Sequence, residues 1–310
     1  MNVIVVGSGA REHALCRILY KSYLCEKVFC FPGNYGISQI AECKDISTKE
    51  DIVEECIKIN PDLVVVGPEN YLSENLAGEL RNKGLNVFGP DSEGAKLESS
   101  KEFMKEFCQS HNIPTAKSQT FVDFDEAKNY LESFNGPIVV KYDGLAAGKG
   151  VFVCTNTNEA IEACERIFIK KEFNQENNKV VIEEFIEGKE LSFFTITDGN
   201  EYLNIGSAQD YKRVGNNDTG PNTGGMGTIS PAPILDNNLD MIIQDQIVKK
   251  TIEGLKHDNI AFQGVIFFGI IVNEHNQPYL LEYNTRFGDP EIQSISPVSY
   301  THLRAHETPT

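Results

Sequence analysis

No apolar run in this 310-residue chain is long enough to cross a bilayer, so a soluble, globular protein with no membrane partner is expected from its 40% hydrophobic content. The opening residues, MNVIVVGSGAREHA, have neither the basic stretch nor the small-residue cleavage site of a secretory leader. A cytoplasmic location follows as an expectation. Basic residues are scarce: 28 Lys and Arg face 45 Asp and Glu, a formal charge of −17. Such a surface repels polyanions and excludes nucleic acid as a partner. A small phosphorylated ligand can still be held where glycine-rich backbone and a few Lys or Arg make a local positive pocket. The eight cysteines (16, 25, 30, 43, 56, 108, 154 and 164) form no CxxC pair and no metal-ligand rhythm. Reduced, mostly buried thiols are expected.

What is present reads as two or three domains. Short β-rich runs at 2–6, 27–31, 63–66 and 86–88 alternate with amphipathic stretches at 11–22, 49–58 and 73–83. Alternation of this kind predicts a parallel sheet with helical crossovers, an α/β domain of Rossmann-like type closing near residue 100. Turn signals end each strand: GSG, PGN, GPE and GPD. A helix, SKEFMKEFCQSH, follows, and then the pattern changes to strands joined by short turns, an antiparallel-rich α+β region over 101–296. Residues 209–227, polar and dense in glycine, predict a mobile functional loop rather than core. A helix is expected over 236–257, then two strands, GVIFFGIIVN and QPYLLEYNTR. From residue 298 the chain carries no strand, helix or capping logic, and residues 298–308 back-translate in one frame to a transposase adapter used in sequencing libraries. Residues 297–310 are therefore expected to be a non-native tail, and His302 and His306, spaced i, i+4, receive no metal role.

Four stretches carry chemistry. GSGAREHA follows a strand and opens a helix, a place for an anion, but Glu12 stands where a dinucleotide fingerprint needs its third glycine. Arg11 and Glu12 suit a phosphate and a hydroxyl- or amine-bearing ligand instead; a glycine turn with a surface ion pair is the competing reading. DGLAAGKGV at 143–151 is not a Walker A loop: Asp143 replaces the first glycine, Gly150 replaces Ser/Thr, and a strand follows. It reads as a glycine hairpin that closes over phosphates, with Lys141 and Lys149 adding charge, or as a plain flexible turn. In VVIEEFIEGKELSF, Glu183 and Glu190 could accept from an adenine amino group and a ribose hydroxyl while the Phe185 and Ile186 backbone meets the base edge. Taken alone, that stretch reads more readily as a solvated edge strand. LLEYNTRFGDPE places Glu282, Asn284 and Arg286 on one face by the strand period of two, with Leu281, Tyr283 and Thr285 on the other. A carboxylate and an amide oxygen suit Mg²⁺ shared with ATP phosphates, and the guanidinium can neutralise a transferring phosphoryl group.

GSGAREHA, PGNYG, VVGPE, SKEFMK, VVKYDGLAAGKGV, VIEEFIEGKELSF, SAQDYKRVGNNDTGPNTGGMG and LEYNTRFGDPE, in this order, resemble the phosphoribosylamine–glycine ligase family over residues 1 to about 296. The resemblance implies a pre-ATP-grasp domain followed by an ATP-grasp domain, an ADP-forming ligase of purine biosynthesis, and ATP with Mg²⁺ or Mn²⁺. It implies that Lys101, Lys141, Gly144, Ala147, Gly148, Lys149, Gly150, Glu183, Glu184, Phe185, Ile186 and Glu190 hold ATP, and that Glu282 and Asn284 hold the metal. Phosphoribosylamine falls to Gly9, Arg11, Glu12, Asn34 and Glu69, with Arg213, Thr223, Gly224, Gly225 and Met226 closing over it, and glycine to Gly288 and Asp289 beside Arg286. Arg286, Lys212 and Asp210 are the implied catalytic residues. The chain departs from the family in two ways: residues 264–272 supply no carboxylate for a second metal, and the family continues past GDPE into a C-terminal domain. Other ATP-grasp ligases or carboxylases, a nucleotide-binding fragment without activity, and a dinucleotide oxidoreductase are the rival readings.

Overall fold

The computed structural model describes residues 1–146, 148–173, 178–215 and 219–297. Five parallel strands form the first sheet: β1 (Asn2–Gly7), β2 (Lys27–Pro32), β3 (Glu42–Cys43), β4 (Leu63–Val66) and β5 (Val87–Phe88), in the order β3-β2-β1-β4-β5. Their near-continuous apolar runs are what a sheet covered on both faces requires. Val3 and Val5 pack with Leu15 and Cys16 on one side, while Ile4 and Val6 pack with Ile52 and Leu72 on the other. The covering helices are α1 (Ala10–Tyr20), α2 (Lys49–Ile59), α3 (Glu69–Ser73) and α4 (Leu76–Asn82). The chain builds outward from β1 to β3 and then crosses back to β4, so the strand order switches between β1 and β4. A crevice opens at the carboxyl ends of strands at such a switch, and the GSG and GPE turns both lie there.

Helices α5 (Ser92–Ser99) and α6 (Lys101–Ser110) lead out of this sheet, their first turns capped by the Asp91 and Ser100 side chains, which accept from the Gly94 and Phe103 N–H groups. A four-stranded antiparallel sheet follows: β6 (Ser118–Phe121), β7 (Ile138–Tyr142), β8 (Val151–Cys154) and β9 (Val180–Glu184), ordered β6-β9-β7-β8. It packs against α7 (Phe124–Glu132) and α8 (Thr157–Phe168) through Leu131, Val140, Cys164 and Ile182.

The third sheet is antiparallel and holds β10 (Lys189–Thr197), β11 (Tyr202–Asp210), β14 (Thr228–Ile229), β15 (Gly264–Val272) and β16 (Pro278–Asn284), ordered β14-β11-β10-β15-β16. A separate hairpin, β12 (Arg213–Gly215) with β13 (Thr219–Asn222), projects between β11 and β14. One face of this sheet packs on α9 (Asn237–Ile243) and α10 (Lys249–His257), the other on Phe88, Phe287 and Ile295. Strand β16 meets the preceding sheet, because the Lys141 ammonium on β7 donates to the Leu281 carbonyl at 3.0 Å.

Three expectations change, and a fourth, the helix over 236–257, holds with one added detail. The amphipathic stretch read over 73–83 is helical from Leu76 to Asn82, set off from the separate short helix Glu69–Ser73 by a break at Asn75, whose φ is +65°. The segment 209–227 is not simply a loop, since it contains the β12–β13 hairpin. The helix over 236–257 is continuous but runs through a π-turn at Gln244–Val248. In β16 the register slips opposite Gly269 and Ile270, so Leu280 and Tyr283 share one core and the simple alternation assigned to Leu281, Tyr283 and Thr285 fails. Arg286 lies past the end of the strand. Residues 298–310, which include the adapter-like run, lie outside the described residues.

Candidate functional site

The switch-point crevice is organised around Glu12. Its carboxylate accepts from the Gly9 N–H at 2.7 Å and from the Arg11 Nε at 2.6 Å, and it is only 2% exposed. The turns on either side leave it room, since a methyl at Gly67 would stand 2.1 Å from Glu12 Oε1. Arg11 reaches across the molecule: its backbone N–H donates to Asp289 Oδ2 at 3.0 Å and its Nη1 to the Phe287 carbonyl at 3.3 Å. Glu69 lies 3.7 Å from Arg11 Nη1 and 3.2 Å from Arg286 Nε. Burial alone would raise the Glu69 carboxyl, but Arg286 and Arg11 outweigh it and hold it below its ordinary value. Asn34 braces the neighbouring turn, donating to the Ser8 carbonyl at 2.8 Å and accepting from the Ile37 N–H at 2.9 Å. Gly9, Arg11, Glu12, Asn34, Glu69, Arg286, Gly288 and Asp289, scattered over the whole length of the chain, thus lie around one crevice.

A second group of charges lies where β16 meets the smaller antiparallel sheet. Glu183 is buried between two ammonium groups, Lys141 at 2.9 Å from Oε2 and Lys105 at 3.2 Å from Oε1. Lys101 donates to the Gly144 carbonyl at 2.9 Å and the Glu98 carbonyl at 3.3 Å, and burial pulls its pKa down. The link from β7 to β8 carries Gly144, Gly148, Lys149 and Gly150; Lys149 is exposed, its N–H donating to Ala146, and Gly148 has a φ of +76°. Ala147 lies outside the described residues. Glu184 Oε1 accepts from the Lys117 N–H at 3.0 Å, while Phe185 and Glu190 are exposed and Ile186 half-buried.

Glu282 faces this group from β16. Burial would raise its carboxyl, yet Lys212, Lys141 and Lys101 together hold it below its ordinary value. Asn284, two residues on, is buried, and its side chain adds to the lowering of Glu282. The ammonium of Lys212 is favoured by Glu282, Glu190, Glu291 and Asp210, which overcome the opposing effect of burial. Burial, with Glu291 adding to it, pushes Asp210 up to about 6.

The segment after β11 folds back over these residues. Met226 and Thr223 donate their N–H groups to the Tyr211 and Lys212 carbonyls, both at 2.7 Å. Gly225, at a φ of +119°, lies so close to Pro290 that a methyl there would stand 2.7 Å from Pro290 Cδ and 3.3 Å from Asp210 Oδ1. Gly224 is exposed and open on every side. Arg213 belongs to β12, beside this turn.

Three further residues in this region drew no assignment from the sequence. Glu98 accepts from Arg286 Nη2 at 2.8 Å through one oxygen and from the Thr285 N–H at 2.8 Å through the other. Nothing local in GAKLESS signals that role. Lys105 does carry a signal, since it lies one helical turn beyond Lys101 and so on the same face of α6. Glu291, 2% exposed, lies beside Gly288, where a methyl would stand 2.2 Å from its Oε2.

Residues 1–98 match the family model of the phosphoribosylglycinamide synthetase N domain, and residues 99–292 match that of its ATP-grasp (A) domain. A chloroplastic phosphoribosylamine–glycine ligase of Arabidopsis thaliana is 47% identical over 291 residues, covering 92% of this chain and 55% of the relative. A phosphoribosylamine–glycine ligase of Brucella melitensis biotype 1 is 45% identical over 297 residues, covering 95% of this chain and 69% of the relative. The chain thus spans about half to two-thirds of the length of these relatives. The crystal structure of a phosphoribosylamine–glycine ligase from Thermotoga maritima superposes with a TM-score of 0.84 at 32% identity, covering 96% of this chain and 72% of that one. A biotin carboxylase domain from Hydrogenobacter thermophilus, solved with MgADP and bicarbonate, shares the fold at a TM-score of 0.69 and 20% identity, covering 94% of this chain and 65% of that one.

Proposed function

The chain belongs to the phosphoribosylglycinamide synthetase family, carrying its N domain and its ATP-grasp domain, and on that premise we propose that it joins glycine to 5-phosphoribosylamine at the expense of ATP. The observation that carries this reading is the gathering of ammonium groups where β16 meets the smaller sheet: Lys141 and Lys105 against Glu183, Lys101 on the Gly144 carbonyl, and Lys101, Lys141 and Lys212 all holding Glu282 ionised. Ammonium groups gathered near the half-buried Glu282 suit a polyphosphate, and they explain how a chain of charge −17 holds one. Membership of an ATP-grasp family brings ATP and a divalent metal with it. Glu282 and Asn284 offer the carboxylate and amide oxygens that Mg²⁺ or Mn²⁺ prefers, and they lie side by side, the Asn284 side chain helping to keep the Glu282 carboxyl ionised. When bound, the cation neutralises phosphate charge during transfer.

The remaining work falls to positioning. A glycine carboxylate oxygen attacks the γ-phosphorus, the bond to the β-phosphate oxygen breaks, and ADP and glycyl phosphate result. The phosphoribosylamine nitrogen then adds to the carbonyl carbon, loses a proton, and expels phosphate. Arg286 is assigned to the glycine carboxylate and the acyl phosphate, with Gly288 and Asp289 beside it. Gly9, Arg11, Glu12, Asn34 and Glu69 are assigned to the sugar phosphate and amine, and Asp210 and Lys212 to the join between the two halves. The residues assigned to ATP are Lys101, Lys141, the 144–150 turn and the 183–190 strand end. Thr223 to Met226, with Arg213, are assigned to closing over the acyl phosphate, which water would hydrolyse. A domain division near residue 100 and a cytosolic setting complete the proposal; the free state of all eight cysteines suits a reducing compartment.

ADP release tests it, measured with glycine and phosphoribosylamine, with each omitted, and with bicarbonate in place of glycine. Release that needs both substrates, and falls by at least about a hundredfold in E282A, is the expected result. Equal release with bicarbonate makes the chain a carboxylase, and full activity in E282A removes that residue from metal binding.

A further inference from the structure

The ends of α6 and α10 meet at a cluster that shares no residue with the site above. His111 is the cap residue that ends α6, His257 is the last residue of α10, and Asp258 caps that helix. One oxygen of Asp258 lies 2.8 Å from His111 Nε2 and the other 2.8 Å from His257 Nδ1. The three potential ligand atoms all fall within 4.8 Å of one another.

We propose that His111, His257 and Asp258 form a binding site for a zinc-class divalent cation that pins the end of α6 to the end of α10. Two imidazoles and a carboxylate, with water in the fourth position, are a donor set that Zn²⁺ accepts and Mg²⁺ does not favour. The ligands are held by the fold. The His111 ring packs 4.6 Å from Phe107, and Gly254 leaves it room, since a methyl there would stand 2.8 Å from His111 Cδ2. The Asp258 N–H donates to the Gly254 carbonyl at 2.9 Å and the His111 N–H to the Phe107 carbonyl at 3.1 Å, so both backbones are fixed.

The surroundings favour a cation independently of the side chains. Two helix C-termini converge here, each presenting the negative end of its dipole and its last carbonyls. One of these ends already receives a positive group, because Lys250 Nζ donates to the Asn112 carbonyl at 2.6 Å. A tetrahedral site with Zn–N near 2.0–2.1 Å needs ligand atoms about 3.3 Å apart, so a bound cation would replace the two 2.8 Å contacts of Asp258 and draw in ligand atoms that already lie within 4.8 Å of one another. The His257 side chain, 79% exposed, has room for that adjustment once its contact with Asp258 Oδ1 is exchanged for the metal.

Zinc titration followed by calorimetry tests the site in the untagged full chain, with H302A and H306A introduced so that the two tail imidazoles do not compete. One Zn²⁺ per chain at this site is expected, and H257A and D258N should each weaken it by at least about tenfold. Co²⁺ in place of Zn²⁺ should give the visible absorption of a four-coordinate N₂O₂ site, absent in H257A. Zinc should raise the melting temperature of the parent and not of H257A. An affinity for Zn²⁺ unchanged in both variants, or no binding by the parent, overturns the proposal.

Discussion

At the scale of single residues, Asp210 offers a measurable signature. Burial and Glu291 raise its pKa from 3.8 to about 6. A carboxyl raised on folding takes up its proton in the folded state first, so as pH falls from about 7 toward 4 the folded chain gains stability relative to the unfolded one. The ionised form costs stability above about pH 6. D210N should therefore flatten the dependence of melting temperature on pH between 4 and 7, and an unchanged slope would show that another group titrates there. The sequence marked Asp210 only through its family motif. Its environment comes from Glu291, eighty-one positions further along, and no local pattern reports such a neighbour. Glu12 was easier to single out, because a charged residue replaced a glycine in a familiar turn. That it spends both oxygens holding Gly9 and Arg11 is visible only in the fold.

At the scale of elements, the segment after β11 is the most informative. Its glycine content announced irregular backbone, and its lack of apolar residues kept it out of the core. The same composition hid the β12–β13 hairpin, since polar strands on a projecting arm lack the alternation that betrays a half-buried one. Deleting Gly224 and Gly225 removes the turn seated on Pro290 but none of the residues around Glu282. ATP affinity should stay within about twofold of the parent while ADP release outruns ligation several-fold, as expected of a cover over a reactive intermediate. Tight coupling in the deletion variant would assign the segment to something else. Strand β16 shows the opposite failure: its period of two was plain in LLEYNTR, but the slip opposite Gly269 and Ile270 leaves no trace in composition.

At the scale of the whole molecule, the parallel sheet and the last strand are joined by a chain of charges that no window of sequence could show. Arg11 and Glu69 come from the first domain, Arg286 follows β16, and Glu98 lies in the last turn of α5 between them. The two alternations of hydrophobicity, strand–helix first and strand–strand later, made the two halves legible, because each records burial within one sheet. Their junction is built from charged residues nearly 200 positions apart, and it becomes apparent only when both halves are folded. Glu98 is the member to test, since it touches no assigned substrate and serves both Arg286 and the Thr285 N–H. E98A leaves the half-buried Arg286 guanidinium with Glu69 as its remaining ion-pair partner within 4 Å and the Phe287 carbonyl, and leaves the Thr285 N–H with no acceptor. Breaking one side of such a pair costs about 3 kcal/mol, which for a chain of this size lowers the melting temperature on the order of 5 °C. E98Q keeps an acceptor for Thr285 and should recover part of that loss while the KM for glycine stays raised, because the charge that orients Arg286 is gone. Calorimetry and initial rates on the two variants separate these effects. If E98A melts like the parent, the junction is held by something other than this chain of charges.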